Sequence, residues 1–84
     1  MAAEKSQEAL CARVAQLLRE EREGRGLSMN EVAARSGLSQ QMVSYVERGM
    51  RNPTLETLLR LTAALDVHLE DVIKKARKHL RSGD

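Results

Sequence analysis

Apolar residues recur along this chain at helical spacing, and nowhere do they alternate as a strand requires. Leu10, Val14, Leu17 and Leu18 stand at i, i+4, i+7 and i+8 and form one stripe, which Gly24 and Gly26 end. Ser28-Met29-Asn30-Glu31 reads as a capping box. Leu27 before it and Val32 after it form a hydrophobic staple, and this second helix runs to about Ser36 and stops at Gly37. A third opens at Ser39, with Leu38 and Val43 as its staple, and ends near Gly49. Asn52-Pro53-Thr54 separates it from a fourth, because the residue before a proline avoids the helical region. Thr54 caps that fourth helix, which carries Leu55, Leu58, Leu59, Thr62 and Leu65. A fifth begins around His68 and carries Leu69, Val72, Ile73, Ala76 and Leu80. The pattern predicts an all-α chain of five helices, with frayed ends over roughly residues 1–7 and 82–84.

At 84 residues the chain is sized for one domain, expected to span 1–84. Its core is expected over about 9–73, with helix five over about 68–81. That core must be aliphatic, since Tyr45 is the single aromatic residue. The lone Cys11 excludes an internal disulfide and a cysteine-based zinc cluster, and is expected to be a buried or half-buried hydrophobe. No apolar run approaches the ~20 residues of a membrane span. The first ten residues hold Glu4 and Glu8 and no apolar stretch, so no signal peptide is expected there. These features predict a cytoplasmic protein.

The formal net charge of +2 does not announce a polyanionic partner. Its distribution is uneven. Arg60 alone opposes Glu56, Asp66, Glu70 and Asp71, whereas Lys74, Lys75, Arg77, Lys78 and Arg81 face only Asp84 near the end. The basic end complements a helix dipole, or supplies an added phosphate or RNA contact. No His, Cys, Asp or Glu cluster has metal spacing, and no catalytic triad motif or glycine-rich phosphate loop is present. The expectation is therefore a non-enzyme, with no cofactor, no metal and no evident small-molecule ligand.

Helices two and three are joined through Ala33-Ala34-Arg35-Ser36-Gly37-Leu38-Ser39. Two helices meeting through a short glycine-containing turn make a helix-turn-helix. In projection at about 100° per residue, Gln40, Gln41, Ser44, Tyr45 and Arg48 share one side of helix three, and Met42, Val43 and Val46 share the other. Glutamine suits adenine, whose N6 and N7 its amide can bond in the major groove. The same polar side also suits an ordinary solvated helix face.

The residues Gly26-Leu27-Ser28, Glu31-Val32-Ala33, Ser36-Gly37-Leu38-Ser39, Val43, Val46-Glu47-Arg48-Gly49 and Arg51-Asn52-Pro53-Thr54-Leu55-Glu56-Thr57-Leu58 resemble the Cro/C1-type (XRE-like) helix-turn-helix regulators over about residues 14–73. The resemblance implies a compact five-helix bundle of the lambda-repressor-like DNA-binding type. It implies base reading by Gln40, Gln41, Ser44 and Tyr45, and phosphate contacts from Ser28, Met29, Ser39, Arg48, Arg51 and Asn52. It also implies a structural ion pair between Arg22 and Glu47. Met29 stands where the family commonly has glutamine, Met50 where a basic residue is common, and Asp66 where glycine is usual.

The stripe Leu69, Val72, Ile73, Ala76 and Leu80 is longer than a core of this size needs. Its first half is expected inside and its second half against a second chain, giving a homodimer. The function so implied is a sequence-specific regulator, a repressor or small controller, that binds palindromic double-stranded DNA. The alternatives are an adaptor or antitoxin using Met29, Met42 and Met50 as an apolar patch, and an RNA binder using the basic end.

Overall fold

Three short hydroxyl side chains start three of the helices. Ser28, Ser39 and Thr54 have extended backbones, and each accepts a hydrogen bond from the N–H three residues on, at Glu31, Met42 and Thr57. Each bond satisfies one donor that the first turn leaves orphaned. At Ser28 the bond is reciprocated, because the Glu31 carboxylate accepts from the Ser28 N–H at 2.8 Å.

The computed structural model describes residues 2–50 and 52–82, with side chains over 7–50 and 52–80. Among these, five helices form: α1 (Ala2–Gly24), α2 (Met29–Ser36), α3 (Gln40–Glu47), α4 (Leu55–Ala64) and α5 (Leu69–Ser82). The described residues hold no strand. Helix α1 already begins at Ala2 and α5 continues to Ser82, so both reach into stretches expected to fray.

The helix ends follow one scheme. After α1, α3 and α4 the chain passes through a left-handed residue, and the next N–H reaches back to a carbonyl five residues earlier: Leu27 to Arg22, Met50 to Tyr45, Val67 to Thr62. This is the Schellman arrangement, which satisfies carbonyls the helix leaves open. The left-handed residue is glycine except after α4, where it is Asp66 with φ 59°.

The core is Val14, Leu17 and Leu18 from α1, Val32 and Ala33 from α2, Val43 and Val46 from α3, Leu61 and Leu65 from α4, and Val72 and Ala76 from α5. Every helix contributes, and all of these side chains are aliphatic. Burying each valine or leucine stabilises the fold by roughly 1.5–3 kcal/mol.

Leu69 and Val72 are buried within the chain, where the first half of the α5 stripe was expected. Ala76, in the half expected against a second chain, is also 0% exposed, so the buried Leu69, Val72 and Ala76 are not available to a second chain. The reason is the length of α1, whose 23 residues span about 35 Å and give α5 a partner along its apolar stripe. Only Ile73 and Leu80 of that stripe remain half-buried. Cys11 is exposed rather than buried.

Candidate nucleic-acid interface

The α2–α3 turn is built around Gly37. Its φ of 74° is left-handed, and its N–H donates to the Ala33 carbonyl at 3.0 Å. An L side chain there is strained, and a Cβ would lie 3.2 Å from the Arg60 guanidinium. Arg60 reaches over from α4 to donate to the Ser36 carbonyl at 3.3 Å, and it is itself held by Glu56 at 3.0 Å. This bond ties α4 to the end of α2. The Glu56/Arg60 spacing was visible in the sequence, but the target carbonyl was not.

Helix α3 lies against this frame through Val43 and Val46, with Met42 packed at the edge of the core. Its other side is open. Gln40, Gln41 and Arg48 are exposed, and Ser44 and Tyr45 are half-buried. The five residues expected to share one side do so. Two pairs on it are bonded one turn apart: the Gln41 amide donates to the Tyr45 hydroxyl at 2.6 Å, and Arg48 donates to the Ser44 hydroxyl at 3.3 Å.

The far end of α3 is anchored to α1. Arg22 Nε donates to Glu47 Oε2 at 2.8 Å, Nη2 donates to Oε1 at 3.1 Å, and Nη1 donates to the Leu27 carbonyl at 2.9 Å. Both side chains are buried. The hydrogen bond to Glu47 holds the Arg22 pKa above its ordinary value, against the opposing effect of burial. A guanidinium matched to a carboxylate in this way uses its planar fork fully.

The residues expected at phosphates are placed unevenly. Ser39 is exposed, and its hydroxyl oxygen is engaged by Met42 N–H at 3.0 Å. Asn52 is exposed. Arg51 lies outside the described residues. Ser28 is implied at a phosphate, but its N–H is taken by Glu31, whose pKa is lowered by the backbone and side-chain hydrogen bonds from Ser28. The Met29 side chain packs against the core, so only its backbone N–H faces outward in the first turn of α2. Met29 and Met42 thus belong to the core margin, and the three-methionine patch expected of an adaptor does not form; Met50 alone is exposed.

Among the described residues, the exposed large apolar side chains besides Met50 are Leu55 and Leu59, 65% and 49% exposed, one turn apart on α4. Among the described residues no group of three metal-ligating side chains occurs, and no helix is long and apolar enough to cross a membrane.

These features, two short helices about a left-handed Gly37 with the second fastened by an arginine–glutamate pair, define a helix-turn-helix. A family model described as helix-turn-helix matches residues 18–72, and the chain belongs to that family. It is similar to the HTH-type transcriptional regulator y4dJ of Sinorhizobium fredii, with 56% identity over 50 residues, 58% of this chain and 65% of that protein. Among solved structures it is similar to the restriction-modification controller protein C.AhdI from Aeromonas hydrophila, at 41% identity and a TM-score of 0.69. That match covers 75% of this chain and 94% of the controller. It is also similar to SinR, a master regulator for biofilm formation solved in complex with DNA, at 28% identity and a TM-score of 0.66, over 71% of this chain and 97% of that one. The chain spans 35–65% of the length of the curated relatives compared with it.

Proposed function

We propose that this chain is a sequence-specific regulator of transcription that binds double-stranded DNA in the cytoplasm as a homodimer, in the manner of a repressor or small controller. The observation that carries the reading is the open polar side of α3, with Gln40 and Gln41 exposed at its N-terminal turn and the helix fixed from behind by Arg22 and Glu47. Its similarity to a restriction-modification controller and to a regulator solved with DNA supports the same reading.

In this mechanism α3 enters the major groove. Gln40, Gln41, Ser44 and Tyr45 present their polar atoms to base edges. Arg48, Arg51, Asn52, the Ser39 hydroxyl and the Met29 N–H hold the backbone on either side. Phosphate contacts set position and base contacts select sequence. Two copies read two half-sites about 34–36 Å apart. Exposed Leu55 and Leu59, with half-buried Ile73 and Leu80, supply apolar side chains for the contact between copies. Bound over a promoter, such a dimer blocks polymerase by occupancy and needs no chemical step.

A titration of a selected duplex and an unrelated one over a range of salt tests the reading. Gln40→Ala should cost about 1–3 kcal/mol on the selected duplex and almost nothing on the other. Arg48→Ala should weaken both and flatten the salt slope by about one unit. An adaptor of the same fold, using Leu55 and Leu59 on a different protein, would show little salt-sensitive duplex binding.

A further inference from the structure

The two glutamines at the start of α3 differ in the free protein. The Gln40 side chain is exposed and bonds no other side chain among the described residues. Gln41 is exposed too, but its Nε2 donates to the Tyr45 hydroxyl one turn later, at 2.6 Å. Tyr45 is half-buried, so its ring is a firmer support than a freely rotating surface side chain.

The bond has a direction. One N–H of the Gln41 amide is committed to the phenol oxygen, and this leaves the second N–H and the carbonyl oxygen open. Those are the two groups that an adenine edge requires, one donor for N7 and one acceptor for the N6 amine. A glutamine held in this way presents them in a fixed order and has less rotamer freedom to lose on binding. Gln40, unsupported, must be ordered by the duplex itself.

Resting on the DNA-binding reading above, we infer that Tyr45 is a positioning residue for Gln41: its hydroxyl orients the Gln41 amide, and Gln41 is therefore the stringent adenine-reading position of α3 and Gln40 the permissive one. Beside its own place on the base-facing side of α3, Tyr45 then acts on specificity through its neighbour.

The test is a double-mutant cycle in the full chain with Tyr45→Phe, Gln41→Ala and both together. Affinities are measured by fluorescence anisotropy on the selected duplex, on its single-base variants and on an unrelated duplex. Tyr45→Phe keeps the ring and removes only the hydroxyl. It should lower affinity for the selected duplex about five- to tenfold, relax preference mainly at the position Gln41 reads, and leave the unrelated duplex unchanged. In the Gln41→Ala background it should no longer change the preference at the position Gln41 reads. A change of preference at that position that persists in that background, an equal loss on both duplexes, or no loss at all would overturn the inference while leaving sequence-specific binding intact. A wild-type chain that does not distinguish the two duplexes would overturn the DNA-binding reading and the inference with it.

Discussion

Arg22 on α1 and Glu47 at the end of α3 meet in a two-pronged buried ion pair, with Nε to Oε2 at 2.8 Å and Nη2 to Oε1 at 3.1 Å. The third arm of the guanidinium bonds the Leu27 carbonyl, just before the α2 cap. One arginine thus fixes the helix that would read DNA and the approach to the helix before it. Replacing Arg22 or Glu47 singly with methionine leaves the other charge buried and alone, and should cost about 3–5 kcal/mol. The double substitution should recover much of that loss. Urea unfolding followed by circular dichroism measures all three, and a double variant as unstable as the sum of the singles would contradict the account.

The left-handed positions should respond in opposite directions. Gly37→Ala places a side chain at φ 74° and should destabilise by about 1–2 kcal/mol. Asp66→Gly relieves the same strain at φ 59°, offset in part by the greater freedom of glycine in the unfolded chain, and should stabilise by about 0.5 kcal/mol. Thermal midpoints of the two variants check both signs.

The α2 cap carries a pH dependence. Hydrogen bonds from Ser28 lower the Glu31 pKa below its ordinary 4.5. The stability this contributes is complete above the unfolded-state pKa and is lost as pH falls through the folded one. Wild type should therefore exceed Glu31→Gln in urea midpoint at pH 7, and the gap should narrow as pH falls below 4.5. Ser28→Ala should lose about 1 kcal/mol at neutral pH. A gap between wild type and Glu31→Gln that is unchanged at pH 3 would remove the carboxylate from the explanation.

Self-association should depend on α4 rather than on the buried part of α5. Leu59→Asp adds a charge to a half-exposed site and should shift sedimentation from dimer to monomer with little loss of folded stability. Ala76→Asp, at a fully buried site, should unfold the chain instead. A Leu59→Asp variant that still sediments as a dimer would place the interface elsewhere.

The helix starts were legible because caps and staples are local. Ser28 with Glu31, and Leu38 with Val43, announce themselves within five residues. The open side of α3 was legible from periodicity, and the Arg22–Glu47 pair from resemblance alone, since no local rule links positions 22 and 47. What periodicity does not give depends on distances along the fold. Ala76 in the second half of the α5 stripe is buried within the chain because the 23 residues of α1 pack along α5. A leucine-rich helix does not reveal which of its leucines are covered, and Leu55 and Leu59 are exposed. The capping box consumes the Ser28 N–H, which leaves the Met29 N–H at that helix start. The Gln41–Tyr45 spacing was in view, but side-chain direction decides whether such a pair meets.

Selection of duplexes from a random pool by the 84-residue chain tests the central claim most directly. The account predicts enrichment of an inverted repeat, with half-site centres about 34–36 Å apart and affinity that falls steeply as salt rises. A pool that emerges without sequence preference, from a chain that is folded by circular dichroism, would contradict it.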